Sequence, residues 1–202
     1  MNAMLHRRLL LLTPAALLLR AGPARADAVD TAQALVDKLG RELIGVVNGA
    51  GSATEKQAAL EKLIDRDVDI QAVARFCLGR FWRTASPDQL KAYGELFRAV
   101  LVKNITSKVG DYQGVTMTVG KGQAREEDVL VGSVVNRPNN APNRVDWVVS
   151  AAGGAPRIID VIAEGTSMRL TQRSDYSAFL SRNNNDVQAL IDAMRKQATQ
   201  PG

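Results

Sequence analysis

The period of the apolar residues switches twice along this chain. From Asp27 to about Val109 apolar side chains recur at three- and four-residue steps, the spacing of helices. From Val115 to Ala163 the rhythm is that of strands, and beyond Thr166 the helical spacing returns. Inside the strand block, Val115-Thr116-Met117-Thr118-Val119 alternates cleanly, Asp128 to Asn136 is rich in valine, and Arg144 to Ala151 alternates through Val145, Trp147 and Val149. Arg137 to Asn143 reads as a polar hairpin loop, and Ala152-Gly153-Gly154-Ala155 turns the chain into a fourth strand, Pro156 to Ala163. Sequential strands joined by short loops make an antiparallel meander. The expected fold is α+β, with helices packed on a curved four-stranded antiparallel sheet that encloses an apolar pocket between the layers.

The helices carry their own punctuation. Ser86-Pro87-Asp88-Gln89 combines a capping box, a proline at the first helical position and an early acidic residue, so a helix starts at Pro87 and runs to about Val109. Leu90, Tyr93, Phe97, Val100, Leu101 and Ile105 form its apolar stripe. Asp69 caps a shorter helix that ends at Gly79. Upstream, Asp27 to Val47 is helical, Asn48 to Ser52 breaks it, and Ser52 or Thr54 caps a second helix through Ile64. Two more helices, Thr166 to Leu180 and Asp186 to Gln197, close the chain around an Asn183-Asn184-Asn185 break.

Residues 1–26 have the make-up of a cleaved export signal: Arg7-Arg8, an apolar run from Leu9 to Leu19, and Ala24-Arg25-Ala26 ahead of Asp27. The run is too short to span a bilayer, and the arginine pair leaves Sec and twin-arginine routes both open. Residues 27–202 then suit a single domain. Losing Arg7, Arg8, Arg20 and Arg25 takes 26 Lys and Arg down to 22 against 21 Asp and Glu, a net charge near +1. The high isoelectric point therefore belongs to the leader and gives no case for nucleic-acid binding. The only histidine, His6, leaves as well, which closes Ser-His-Asp and Cys-His catalysis and histidine-ligated metal sites. Cys77 is the only cysteine, so the domain has no internal disulfide, and on a helix face it reads as a small apolar residue. No cofactor is expected.

Leu78-Gly79-Arg80-Phe81-Trp82-Arg83-Thr84-Ala85-Ser86-Pro87-Asp88-Gln89, with Tyr93, Phe97 and Tyr112-Gln113-Gly114 behind it, resembles the first sequence block of the periplasmic MlaC family, also called the toluene-tolerance Ttg2D family. Its hopanoid-associated HpnM branch shares the pattern. Ile159-Asp160-Val161-Ile162-Ala163-Glu164-Gly165-Thr166-Ser167, followed by Arg173 and Tyr176, resembles the second block. Where that block often has a Trp-Lys pair, this chain has Pro156-Arg157-Ile158. The resemblance implies a monomeric periplasmic phospholipid carrier that shuttles lipid between an outer-membrane lipoprotein complex and the substrate-binding component of an inner-membrane ABC transporter, with acyl tails held between sheet and helices.

Hiding two acyl tails from water needs a long dry cavity, since each buried methylene is worth about 0.8 kcal/mol. Val115, Met117, Val119, Val131, Trp147, Val149, Ile159 and Val161 offer one apolar sheet face, and Phe81, Trp82, Phe97 and Leu101 are candidates to oppose it. The same aromatic residues also suit ordinary core. Two other readings stay open at this level. Asp160 and Glu164, four apart, fit a small acid–base enzyme if one strand carries both. Lys91, Arg98, Lys103 and Lys108 fit the basic face of a non-enzymatic adaptor in a membrane complex.

Overall fold

The computed structural model describes residues 23–150 and 154–200. The expected leader lies outside the described residues as far as residue 22, and the first helix begins at Pro23. Among the described residues six helices accompany one sheet. They are α1 Pro23–Asn48, α2 Ala53–Asp67, α3 Ile70–Leu78, α4 Pro87–Thr106, α5 Met168–Arg182 and α6 Val187–Thr199, with 3₁₀ turns at Gly79–Arg83 and Val109–Tyr112. Among the described residues no helix is long and apolar enough to cross a membrane.

The caps form as the side chains dictate. Ser86 accepts from the N–H of Gln89 while Gln89 reaches back to the Ser86 N–H, closing the capping box of α4. Ser52 and Glu55 build the same box on α2, which settles the cap on Ser52 rather than Thr54. Asp69 caps α3 and Asp186 caps α6. Gly79 ends α3 with φ at 61°, a backbone that a Cβ would strain.

The sheet has five strands in chain order: β1 Thr116–Arg125, β2 Asp128–Asn136, β3 Asn143–Ser150, β4 Arg157–Ala163 and β5 Thr166–Ser167, all antiparallel. The expected four-strand meander thus gains a fifth, two-residue strand. Thr166 and Ser167 were expected to start a helix. They pair instead with Ala163 and Ile162, and Ser167 then caps α5. β1 runs past Val119 because a register shift between Val119 and Gly122 absorbs an irregularity and lets Gly122 to Arg125 rejoin β2.

Alternation gives the sheet two faces. Met117, Val119, Val129, Val131, Trp147, Val149 and Val161 point to the inner face, where they join Ala32, Val36 and Leu39 of α1 and Leu60 and Leu63 of α2 in one apolar cluster. Glycine at position 40 of α1 leaves the space that the Met117 methyl fills. The outer face carries Val148 in register with Asp160, and α5 backs it at β4. A second, separate cluster lies among α3 to α6. It holds Leu78, Phe81, Tyr93, Phe97, Val100, Tyr176, Leu180, Ile191 and Met194.

Candidate functional site

The helical cluster is a finished core. Tyr93, Phe97 and Tyr176 meet with centroids 5.8, 6.2 and 6.4 Å apart, two of the three pairs edge-on. The Tyr93 hydroxyl donates to the Ala74 carbonyl at 2.9 Å, so the ring is buried with its polar end paired. Burial pushes both tyrosine hydroxyls well above their usual range. Burial, with the Asp160 carboxylate adding to it, pushes the Cys77 thiol up to about 12, which leaves it protonated and inert. Phe81, Trp82, Phe97 and Leu101 all belong to this cluster and not to the inner sheet face that they were expected to oppose.

The inner sheet face is different. Of the candidate residues, Met117, Val119, Val131, Trp147, Val149 and Val161 come together there. Val131 and Val149 are sealed, whereas Met117, Val119, Trp147 and Val161 are only half-buried. Trp147 and Val161 are register partners, and Val131 is the neighbour of Trp147 on its other side. The result is a row of apolar side chains running across three strands, closed at one end and open at the other. One polar device lies in it. Ser133, buried on the same face, accepts the Trp147 Nε1–H at 2.9 Å and donates to the Val145 carbonyl at 3.0 Å, which satisfies the indole and fixes its angle. Ser133 was not anticipated; its inward position in the valine run of β2 was the available signal. Val115 sits just ahead of β1, its carbonyl accepting from Asn48 Nδ2 at 3.0 Å. Ile159 falls at the register shift of β4 and lies outside the cluster.

The acid–base pair does not form. Glu164 has left the strand, at φ 50° in the turn between β4 and β5. Asp160 is buried, and both its oxygens are occupied: the N–H groups of Val161 and Arg169 donate to Oδ1 at 2.8 and 3.0 Å, and the Ser167 hydroxyl donates to Oδ2 at 2.5 Å. That is a brace between β4 and α5. Of the basic residues Lys91, Arg98, Lys103 and Lys108, two are drawn into the fold. Arg98 binds Asp65 and Glu61 of α2, and Lys103 Nζ donates to the carbonyls of Gln197 and Gln200 at the end of α6. The Arg98 hydrogen bond holds the Asp65 carboxyl below its ordinary range. No group of three or more metal-ligating side chains occurs among the described residues.

A helix-covered antiparallel meander with a partly open apolar inner face, its buried ionisable groups tied up in the scaffold, defines the class: an α+β protein built around a non-polar surface. The model of the MlaC protein family matches residues 38–196, and the chain belongs to that family. The toluene tolerance protein ttg2D of Pseudomonas putida is 24% identical over 136 residues, which cover 66% of this chain and 63% of that protein. The match therefore spans less than two thirds of that relative's length. A phospholipid-binding protein of Ralstonia solanacearum, solved in complex with a phospholipid, shares the fold at a TM-score of 0.71, with 20% identity over 84% of this chain and 97% of its own.

Proposed function

We propose that this chain is a periplasmic lipid carrier that holds phospholipid acyl chains against the inner face of its sheet. The observation that carries the reading is the half-buried state of Met117, Val119, Trp147 and Val161 on the inner sheet face, opposite Leu35, Leu43 and Val46 of α1, which are half-buried as well. An acyl chain laid along that row completes the burial, and each methylene it hides contributes about 0.8 kcal/mol. Membership of the MlaC family supports the same reading, as does the fold shared with a protein solved with a phospholipid.

In this reading the chain is exported on residues 1–26, is cleaved before Asp27, and works as a monomer. It passes lipid between an outer-membrane lipoprotein complex and an inner-membrane ABC transporter. Catalysis plays no part. Mass spectrometry of the organic extract of protein purified from periplasm without detergent tests the proposal. Near-stoichiometric phospholipid is expected, whereas hopanoid would reassign the client within the family. An empty extract, with no uptake from vesicles, would overturn the carrier reading.

A further inference from the structure

On the other side of the sheet from the apolar row, α5 presents Arg169 and Arg173 one turn apart on the face that meets α3. Both guanidinium carbons lie over the single ring of Phe76, 4.7 and 4.9 Å from its centroid. Stacking on an aromatic face removes side-chain freedom while leaving the planar fork of donors usable. Each arginine has a further support. Asp160 Oδ2 faces the Arg169 Nε at 3.5 Å, and that nitrogen is buried with no hydrogen-bond acceptor. Arg173 lies against Gly79, where an added Cβ would stand 3.4 Å from its Nε and 3.5 Å from its Cζ and Nη2. The positive φ calls for glycine there, and Arg173 packs at ordinary contact distance from it.

Two guanidinium groups are therefore stacked side by side, and among the described residues no side-chain hydrogen bond engages either fork. The one carboxylate nearby, Asp160, already accepts three hydrogen bonds from Val161, Ser167 and Arg169 N–H and offers Arg169 only the long contact at 3.5 Å. No acid is bonded to Arg173 among the described residues. Arg173 is exposed and shares the open outer surface of α5 with Ser174, Ser177 and Ser181. Fixed arginine forks beside hydroxyl donors, short of acceptors, match the oxygens of a phosphate group.

We propose that Arg169 and Arg173, stacked on Phe76 and bordered by the serines of α5, form a phosphate-binding site on the α3–α5 face. The ligand is a phosphate group, either on a small soluble ester or on the head of a lipid in a bilayer. Met168 and Leu170, 45% and 57% exposed beside the arginines, suit the second source. The site lies on the outer face of the sheet and does not rest on the carrier reading.

The test uses the full chain in sulfate-free buffer. Calorimetry measures binding of inorganic phosphate and of glycerol 3-phosphate, and sedimentation measures capture by phosphatidylcholine vesicles with and without phosphatidylglycerol. Saturable binding of at least one probe is expected. The Arg169→Gln, Arg173→Gln double variant should weaken it by about tenfold or more, and Arg173→Lys should weaken it despite keeping the charge, because the fork is lost. Extracted lipid should be the same in all variants, which separates this site from the apolar row. Binding of the soluble probes assigns a soluble ester, and capture by phosphatidylglycerol vesicles alone assigns a lipid head group. The proposal is overturned if no probe binds saturably, or if the double variant binds like the parent with its circular dichroism intact. Should the double variant misfold, unchanged binding by Arg173→Lys overturns it equally.

Discussion

In the core of α3 to α6, Tyr93 and Leu180 have 0% exposure and Ile191 has 1%, and the aromatic rings close on one another. In the core between α1, α2 and the sheet, Val131 is equally sealed, yet its row neighbours Trp147 and Val161 remain half open. Both regions are built from the same kinds of aliphatic and aromatic residue. Both carry a half-buried fringe, Phe76, Trp82 and Leu101 among those round the helices. What separates them is placement, because on the sheet the fringe includes inward strand residues in register with the sealed Val131, whereas the helical core closes on its own aromatic rings. The two clusters are separate, so a change on the inner sheet face need not disturb the aromatic core of the helices.

Substitutions break or sharpen this contrast in a graded way. Phe97→Ala should cost the most, about 3–5 kcal/mol of unfolding free energy by urea titration, because the ring is buried against Tyr93 and Tyr176. Its lipid content, measured on the folded fraction, should not change. Asp160→Ala attacks the joint between the two regions. It strips a buried acceptor from Ser167 and the α5 backbone and leaves Arg169 unbalanced, for a loss of about 3 kcal/mol in the same assay. Trp147→Ala should reverse the pattern: the half-buried ring should cost less stability than Phe97, while retained lipid falls several-fold in the extract. If Trp147→Ala destabilised as much as Phe97→Ala, or left lipid retention intact, the contrast would collapse.

The smallest effect expected is on pH dependence. The Cys77 thiol has its folded pKa raised to about 12 from an ordinary 9.0, chiefly by burial. A raised folded pKa means that the native state holds the proton more tightly. The contribution is therefore complete below about pH 9 and is lost as pH climbs towards 12. Native protein at pH 8 should resist iodoacetamide and react once unfolded, which quantitative mass spectrometry reads directly.

Much of the scaffold was legible in the residues. Ser86 with Gln89, Asp69 with Gly79, and Asp186 each sit next to the backbone groups they satisfy, so local chemistry announced where helices start and stop. The apolar alternation of β2 and β3 announced an inner face. β1 beyond Val119 was not legible, because Gly120, Lys121, Gly122 and Gln123 show no alternation; Gly122 and Gln123 rejoin β2, and the Gly122 N–H donates to Gln33 of α1. Nor did Phe81, Trp82, Phe97 and Leu101 reveal their partners. A helical stripe says which side of a helix is buried, and nothing in its spacing says whether a sheet or other helices will cover it.

The register shift in β1 has a consequence for the molecule in a crowd. β1 and β5 are the two free margins of the sheet, and an unpaired ladder of N–H and C=O groups invites another chain to add itself. β5 is two residues long and offers almost no ladder. β1 is long, but its shift between Val119 and Gly122 interrupts the hydrogen-bond repeat, and Lys121 adds charge at the break. Neither margin offers a long regular ladder, which disfavours edge-to-edge growth when the protein is concentrated.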